Sequence, residues 1–519
     1  GETLNGLNAT PVDISTRKLE EVYLPSFVDA VNENVASVMM AHHEINGIPC
    51  HSNHALVNVL LRKELGVNGV VISDWYDIEN LHNIHKVAGN IDEAYELAIK
   101  AGLDIHMHGP GFYKSVLKMV RGGIIDESLI DASVERILTL KFNLGLFENR
   151  YVDTSIIKNK VLTPEHKEKA LEVSRKSMVL LKNENHILPL DKNLKSIFVT
   201  GPGANDHMIL GDWVLEQPEK NVITIYEGIR DYLDDDVDVE YFSTGHIREI
   251  DDRIIKKMMQ RAEQHEYAIV AVGADALRSR WNQKTSGENI GITSLELQGK
   301  QEDLIKALYS AGLKVIVVLI NGHPLSPTWT IENIPAIIEA WEPGMMGGKA
   351  IAELLFGDYS PSGRLPVSIP RCVGMIEQYY NHRPSFEGRG IYDYGAKGPV
   401  FPFGYGLSYT TFEYSMECAD KKSIKDTLEV SVTIENTGDY DGDDIILVYL
   451  NDVYSSVTTP VKRLISFKRV SLLQGEKKVL KFNILPEQFS LLDKELSQVV
   501  EPGDFEIFVG DKSKFVTVY

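Results

Sequence analysis

The chain has 519 residues, which suggests roughly three domains of about 150 residues each. Its hydrophobic content of 43% and charged content of 24% are those of ordinary globular proteins, so disordered, collagen-like and low-complexity proteins are excluded. The formal net charge of −21 argues against binding to nucleic acid phosphates, and no apolar run reaches the roughly 18 residues of a membrane-spanning helix.

Residues 1–150 alternate short apolar segments with helical patterns. The apolar segments predict strands at 35–41, 69–73 and 102–107, the third of them more polar than the others. Helical periodicity surrounds them at 17–33, 53–65, 91–101 and 126–143. Short strands that alternate with helices are typical of parallel βα units, which place functional residues at the carboxyl ends of their strands.

After a linker at 151–165, residues 166–385 have the same α/β pattern and predict a second domain with its own core. Its predicted elements are strands at 178–181, 196–200, 267–272, 314–320 and 336–340 and helices at 253–265, 296–311 and 347–356. Residues 386–411 are rich in glycine, proline and aromatic residues, which indicates an ordered connecting loop. Residues 412–519 alternate apolar with polar side chains and predict an antiparallel β-sandwich.

Asp74 closes the second predicted strand, in the segment Val71-Ile-Ser-Asp-Trp75. A carboxylate at the carboxyl end of a strand can face a pocket, where the neighbouring indole of Trp75 could stack on a sugar ring. The alternative is structural, with Ser73 or Asp74 capping the following helix. The residues alone leave both interpretations open.

Glu288 lies in a polar loop, Arg280-Trp-Asn-Gln-Lys-Thr-Ser-Gly-Glu-Asn289, that follows the predicted strand 267–272. A glutamate on a long loop can reach the pocket of a neighbouring domain, or it can simply be solvated. Gly201-Pro-Gly-Ala-Asn205 lacks the spacing of a nucleotide-binding loop and predicts a turn after a strand.

Several histidines crowd the first region, and metal binding there is conceivable. Their spacings match no standard zinc signature, which favours the polar lining of a pocket or structural roles for His42, His43, His51, His54, His106 and His108. The three cysteines are far apart and predict neither a disulfide framework nor a zinc site.

Several motifs along the whole chain together resemble glycoside hydrolase family 3, and its β-glucosidase and β-xylosidase branch fits best. The motifs are Asn46-Gly-Ile-Pro49, Gly69-Val-Val-Ile-Ser-Asp-Trp75, Leu144-Gly-Leu-Phe147, Leu180-Leu-Lys-Asn183, Leu188-Pro-Leu190, Trp341-Glu-Pro-Gly344, Phe356-Gly-Asp-Tyr-Ser-Pro-Ser-Gly-Arg-Leu-Pro366 and Phe401-Pro-Phe-Gly-Tyr-Gly-Leu-Ser-Tyr-Thr410. The resemblance implies part of a (β/α)8 barrel at 1–150, an α/β sandwich domain at 166–385 and a fibronectin type III-like domain at 412–519.

The resemblance also implies a chemistry. Asp74 matches the family's nucleophile and Glu288 its general acid/base. The expected enzyme is therefore a retaining exo-acting β-glycosidase, and a β-glucosidase is the first expectation. Trp75, His42 and Met39 are expected to contact the substrate, and neither a cofactor nor a metal is implied. The alternatives are a β-xylosidase or another exo-glycosidase, and, from a different class, a non-catalytic carbohydrate-binding homologue.

The sequence departs from the family pattern in several places. Three predicted strands fall short of an eight-stranded barrel, and the family's Lys-His dyad and early aspartate have no match. The barrel's remainder is therefore expected as a second chain or a cleaved piece, and a homo-oligomer is possible. Gly291-Ile292 stand where the family often has Asp-Arg, and His42 stands where it often has Tyr or Phe. No signal peptide opens the chain, and a periplasmic or extracellular location is expected from the resemblance alone.

Overall fold

The computed structural model describes residues 2–384 and 398–519. Contacts along the chain divide it into two compact units, residues 1–159 and residues 160–519. Of the predicted connecting loop, residues 386–397 lie outside the described residues. Within the described ranges, no helix combines the length and the apolarity needed to cross a membrane.

The first unit is built around two adjacent parallel strands that are covered by helices. Ser37 lies opposite Val70, and Met39 lies opposite Ile72. The strands are β1 (Ser37–Met39), β2 (Glu44–Ile45), β3 (Ile48–Pro49) and β4 (Val70–Ile72). The helices are α1 (Thr16–Lys18), α2 (Leu24–Asn32), α3 (Asp77–Asn83), α4 (Ile91–Ala101), α5 (Phe112–Arg121), α6 (Glu127–Asn143) and α7 (Ile157–Lys160), with π-helical segments at Leu19–Tyr23 and Ala55–Glu64.

Helix α4 shows how the sequence sets these elements. Asn90 accepts a hydrogen bond from the main-chain N–H of Glu93 and so caps the start of the helix. Gly102 ends it in the left-handed conformation, with φ of 102°. Between them, Tyr95 and Ala98 lie one turn apart and bury the same helix face in the core of this unit.

The third predicted strand, at 102–107, is wrong as a strand. In its place the structure has a single parallel bridge between Ile105 and Ile72. The fully buried carboxylate of Asp104 accepts the main-chain N–H of Val71 at 2.8 Å, a donor that a longer ladder would use. The same carboxylate pairs with Arg62 at 2.7 Å, so a buried polar cluster interrupts the pairing. Three successive parallel strand positions with helices outside them form part of a (β/α)8 barrel.

The α/β domain of the second unit contains a six-stranded sheet with the order β5-β10-β9-β8-β6-β7. Five of the strands are parallel, and β5 pairs antiparallel with β10 at one edge, as is common in large sheets. The strands are β5 (Val179–Asn183), β6 (Ser196–Thr200), β7 (Asp238–Phe242), β8 (Tyr267–Gly273), β9 (Lys314–Ile320) and β10 (Ala336–Trp341).

Helices cover both faces of this sheet, because successive side chains of each buried strand point to opposite faces. Val199 of β6 packs into one core, and its neighbour Phe198 packs into the other. Helices α8 (Pro164–Ser177), α9 (Ile225–Tyr232) and α13 (Gly347–Leu355) contribute to the first core, and α10 (Asp252–Ala262), α11 (Gln301–Ser310) and α12 (Thr328–Asn333) contribute to the second.

The C-terminal part of this unit is a fibronectin type III-like sandwich of a three-stranded and a five-stranded sheet, β11-β13-β16 and β12-β20-β19-β14-β15. In the middle strand of the first sheet, Leu428, Val430, Val432 and Ile434 are buried, as the alternating pattern predicted. The strands are β11 (Phe412–Cys418), β12 (Lys421–Lys422), β13 (Leu428–Asn436), β14 (Gly442–Asp452), β15 (Arg463–Leu472), β16 (Lys477–Ile484), β17 (Leu491–Leu492), β18 (Gln498–Val499), β19 (Gly503–Val509) and β20 (Lys512–Val518).

The α/β domain and the sandwich are joined through the fully buried carboxylate of Asp444. It accepts hydrogen bonds from the guanidinium of Arg364, the hydroxyl of Tyr414 and the main-chain N–H of Ile445. We expect Asp444→Asn to cost about 3 kcal/mol of folding free energy, since it leaves a half-buried arginine without its counter-charge. The matched control is Asp511→Asn, an exposed carboxylate that pairs with its neighbour Lys512. A lower Tm for the first variant and an unchanged Tm for the second would confirm the link.

Candidate active site

Asp74 lies where β4 ends and the loop before α3 begins. Its main-chain N–H donates to Nε2 of His51 at 3.1 Å, and its Oδ1 accepts the main-chain N–H of Trp75 at 2.6 Å. The other carboxylate oxygen, Oδ2, is 3.0 Å from Nε2 of His42. These contacts fix the direction of the Asp74 carboxylate. The side chain is 26% exposed, so the carboxylate is still accessible.

The capping role considered for Ser73 and Asp74 is wrong. Helix α3 begins at Asp77, and its N-cap is Tyr76, whose side chain makes no capping hydrogen bond. The Ser73 hydroxyl instead donates to the main-chain oxygen of Asp74 and accepts the main-chain N–H of Met107. The carboxylate of Asp74 is therefore free of the helix terminus.

His42 bridges two carboxylates. Its Nε2 faces Asp74 at 3.0 Å, and its Nδ1 lies 2.6 Å from Oδ2 of the buried Asp77. Burial raises the pKa of Asp77 and the charge of Asp74 adds to this, while hydrogen bonds from Asn80 and His42 oppose it. One ring nitrogen of His42 and one oxygen from each carboxylate lie close enough together to hold a metal ion. In this structure each ring nitrogen instead faces a different carboxylate. The arrangement is a hydrogen-bonded relay.

His51 is buried, and its Nε2 must be unprotonated to accept the Asp74 N–H. Burial lowers its pKa to about 3, and the charges of His42, His85 and His106 act in the same direction. In the unfolded chain, His51 therefore binds a proton below pH 6.5, whereas in the folded chain it stays unprotonated down to about pH 3. Stability from this residue is fully present above pH 6.5 and is lost as the pH falls towards 3.

We therefore expect the first unit to lose stability, on the order of 4 kcal/mol in total, as the pH falls from 7 to 3. Asp77 opposes this loss at the acid end, because its raised pKa lets the folded state take up a proton first. Hydrogen exchange of peptides covering residues 68–82, corrected for the intrinsic rate, measures the effect. His51→Gln should flatten the dependence, and the exposed His54→Gln should keep it; equal profiles in all three proteins would contradict the assignment.

The indole of Trp75 is 55% exposed and stacks on the imidazole of His108, with ring centroids 4.0 Å apart and planes inclined by 7°. Met39, the last residue of β1, is 53% exposed. Because β1 and β4 are adjacent and parallel, Met39, His42 and Trp75 all lie at or beyond the same carboxyl edge. The structure thus brings together every site residue that the sequence predicted in the first unit.

The remaining histidines are divided among separate partners. Nε2 of His106 lies 3.0 Å from Glu79, and the same glutamate accepts the hydroxyl of Tyr95 at 2.7 Å. This cluster is buried or nearly so, which fits the structural role that the spacing favoured. Burial lowers the pKa of His43, whose Nδ1 is also buried.

Glu288 lies on the loop that follows β8 in the second unit. Its Oε2 forms an ion pair with Nη2 of Arg278 at 2.5 Å, and its main-chain N–H donates to Oδ2 of Asp212 at 2.8 Å. Its side chain is 28% exposed. The Glu288 carboxylate is therefore accessible but held by its loop contacts, and it is not the freely solvated glutamate that the sequence left open.

Gly201 makes the turn after β6, as its segment predicted. Its φ is 102°, and an added Cβ would lie 2.2 Å from the main-chain oxygen of Ala271, so a larger side chain does not fit between the two strands. This close approach is a packing feature of the sheet.

Sequence reasoning missed three charged residues around the candidate carboxylates. Asp77 faces His42, Asp212 accepts the main-chain N–H of Glu288, and Arg278 pairs with the Glu288 carboxylate. Asp77 follows Asp74 by three residues in Asp74-Trp-Tyr-Asp77, which was a usable signal. Asp212 stands in Gly211-Asp-Trp213, the same pairing of a carboxylate with an indole that singled out Asp74.

Family models match three parts of the chain. The glycosyl hydrolase family 3 N terminal domain matches residues 1–140, and the family's C-terminal domain matches residues 178–409. The fibronectin type III-like domain matches residues 444–513.

Individual relatives agree with these matches. The chain is 38% identical to a protein named beta-xylosidase from Formosa agariphila over 536 residues, which cover 99% of this chain and 72% of the relative. It is 31% identical to a periplasmic beta-glucosidase from Salmonella typhimurium, with 98% of this chain and 70% of the relative covered. Its fold matches the crystal structure of a beta-glucosidase from Listeria innocua with a TM-score of 0.93 and 33% identity, over 100% of this chain and 72% of that chain.

Proposed function

Because the chain belongs to glycoside hydrolase family 3, we propose that it is a retaining exo-acting β-glycosidase that hydrolyses terminal β-D-glucosyl residues. The observation that carries the proposal is the placement of Asp74. Its carboxylate lies at the carboxyl end of β4, directed by His42 and beside the exposed indole of Trp75. This arrangement suits a nucleophile next to a sugar-stacking ring.

In the proposed first step, Asp74 attacks the anomeric carbon, and the bond to the leaving group breaks. The electron pair of that bond goes to the glycosidic oxygen, which takes the proton of Glu288. In the second step, water attacks the same carbon and gives its proton to Glu288, and the bond to Asp74 breaks. Two inversions at the anomeric carbon retain its configuration.

The relay behind Asp74 supports the nucleophile in this scheme. His42 holds one carboxylate oxygen and the Trp75 N–H holds the other, so the attacking group needs no reorganisation on substrate binding. No step of the scheme uses a cofactor or a metal ion.

The experiment is to trap the covalent intermediate. The purified protein is incubated with the 2,4-dinitrophenyl glycosides of 2-deoxy-2-fluoro-glucose and 2-deoxy-2-fluoro-xylose, and intact-protein mass spectra are recorded. The fluorine slows both steps and the good leaving group restores the first, so a glycosyl-enzyme should accumulate. Peptide mapping should find the label on Asp74 and not on Asp77. Hydrolysis of an ordinary substrate to a product of inverted configuration would refute the retaining mechanism.

A β-xylosidase is the second candidate function. It is supported by the 38% identity to the protein named beta-xylosidase. The ratio of kcat/KM for the 4-nitrophenyl β-glucoside and β-xyloside decides between them, since the two sugars differ in one hydroxymethyl group.

We also propose a periplasmic or extracellular location, which the name of the Salmonella relative supports. The proposed partners are a carbohydrate substrate, a further barrel segment as a second chain or a cleaved piece, and a second copy of the chain in a homo-oligomer. An eight-stranded barrel needs more strand positions than the described first unit supplies. Native mass spectrometry of active protein tests both the segment and the oligomer.

A further inference from the structure

Asp212 connects two loops that leave neighbouring strands of the α/β sheet. Strand β6 lies between β7 and β8, so the chain order reverses beside it. Asp212 follows β6, and Glu288 follows β8. At such a reversal in an open parallel sheet, the loops at the carboxyl ends of the strands separate and leave a crevice for ligands.

Four donors surround the carboxylate of Asp212. Oδ2 accepts Nζ of Lys284 at 2.7 Å and the main-chain N–H of Glu288 at 2.8 Å. Oδ1 accepts Nε of Arg278 at 3.0 Å and the main-chain N–H of Trp213 at 2.8 Å. One carboxylate therefore binds the backbone of Glu288 and the arginine that holds its side chain.

The partnership between Asp212 and Lys284 is obligatory. The Lys284 side chain is fully buried, and a buried ammonium needs a counter-charge. Burial raises the pKa of Asp212, but the hydrogen bonds from Lys284 and the Glu288 N–H outweigh it, so the pKa is lowered overall. Lys284 also reaches the main-chain oxygen of Glu288 at 3.3 Å.

Gly287 makes the close approach possible. Its φ is 89°, and an added Cβ would lie 2.6 Å from Oδ2 of Asp212. A side chain at this position would be strained by the positive φ and would also crowd the Asp212 carboxylate, so both features favour the glycine before Glu288.

Arg278 links the Asp212 carboxylate to the Glu288 side chain. Its guanidinium lies over the ring of Trp213 at 3.7 Å and 5.1 Å from the ring centroid of Trp281. One of its nitrogens bonds Asp212 and another bonds Glu288. A planar guanidinium held in this way directs its Nη2 donor towards the Glu288 carboxylate.

We propose that Asp212 is a positioning residue for proton transfer: it fixes the loop of Glu288 through Lys284 and the backbone, and it aims the Glu288 carboxylate through Arg278. The inference rests on the proposed function, in which Glu288 is the acid/base. It adds that the position and direction of the Glu288 carboxylate depend on the carboxylate of Asp212, which lies on a different loop.

The test compares leaving groups. With a 2,4-dinitrophenyl glycoside the leaving group departs without a proton, whereas a methyl glycoside needs one. We expect Asp212→Asn to lower kcat/KM for the methyl glycoside about 100-fold and for the dinitrophenyl glycoside less than about 3-fold. A residue that merely maintains the fold would lower both values equally, and that result would overturn the proposal.

Asp358→Asn is the matched control. This carboxylate of the same domain also pairs with a lysine, Lys192 at 2.6 Å, and it accepts the hydroxyl of Tyr232. It should change neither value. Glu288→Gln is measured in parallel: if it shows no difference between leaving groups, the proposed function fails. If it shows the difference and Asp212→Asn does not, the positioning role alone fails.

Arg278→Met gives a second route, which matters should Asp212→Asn fold poorly. The Arg278 side chain is 25% exposed, and its loss creates no buried unpaired charge. It should reproduce the dependence on leaving group, since it removes the direct contact with Glu288. An equal loss for both substrates in this folded variant would overturn the proposal.

Discussion

Asp74→Asn should lower kcat by roughly 10⁵-fold with substrate affinity largely retained, as expected when a catalytic nucleophile is removed. The amide keeps the size of the side chain and can still bond the Trp75 N–H, but it cannot attack the anomeric carbon. Steady-state kinetics on a dinitrophenyl glycoside, with a binding measurement for an inhibitor, separate the lost turnover from any loss of affinity.

Azide makes this test specific to the role of the residue. In Asp74→Ala the vacated space admits azide, which would displace the leaving group once and give the α-glycosyl azide. Asp77→Asn is the control, because it disturbs the same relay without removing the nucleophile. It should retain far more activity and give no α-azide. A similar loss in both variants, without the α-azide from Asp74→Ala, would assign Asp74 to structure.

Glu288→Ala should lower kcat/KM for substrates with poor leaving groups by about 10²–10⁴-fold and leave that for dinitrophenyl glycosides nearly unchanged. The reason is that the residue supplies a proton in the first step and removes one in the second. With the dinitrophenyl substrate the second step becomes limiting, so kcat should fall, and kcat/KM should not.

Azide again discriminates, now with the opposite stereochemistry. It needs no general base, so it should attack the glycosyl-enzyme of Glu288→Ala, raise kcat and give the β-glycosyl azide. Glu296→Ala is the control: this exposed glutamate on the same connection bonds Thr328. It should behave as the unmodified protein. Formation of the α-azide by Glu288→Ala would reverse the two assignments.

The fold was largely predictable because the patterns that define it are local. The alternation from Leu428 to Ile434 and the apolar run of β9 each reflect which faces of a strand are buried. The strand predicted at 102–107 failed because Asp104 forms a cluster with Arg62, far away in sequence. Helix α8, which begins at Pro164 after the Thr163 cap, overlaps the segment predicted as a linker.

The candidate site was predictable where a single segment carries the signal. Asp74, Trp75 and Glu288 lie in short motifs, and a resemblance to a family identifies them one by one. The contact between Asp212 and Glu288 joins residues 76 positions apart, and nothing in either segment specifies the other. Likewise, the sequence predicted His42 as a pocket residue, but its contact with Asp77 requires the turn at Tyr76, which has a positive φ.

The placement of β5 has a consequence for synthesis on the ribosome. This apolar strand completes the sheet against β10, and the hydrogen bond that closes the same edge, from Lys182 to the main-chain oxygen of Ile331, spans 149 residues. At about 5–20 residues per second, translation needs roughly 7–30 s to supply that partner. During this interval Val179, Leu180 and Leu181 are an unpaired, aggregation-prone segment, so chaperone occupancy on nascent chains should be highest before residue 341 emerges and should fall afterwards.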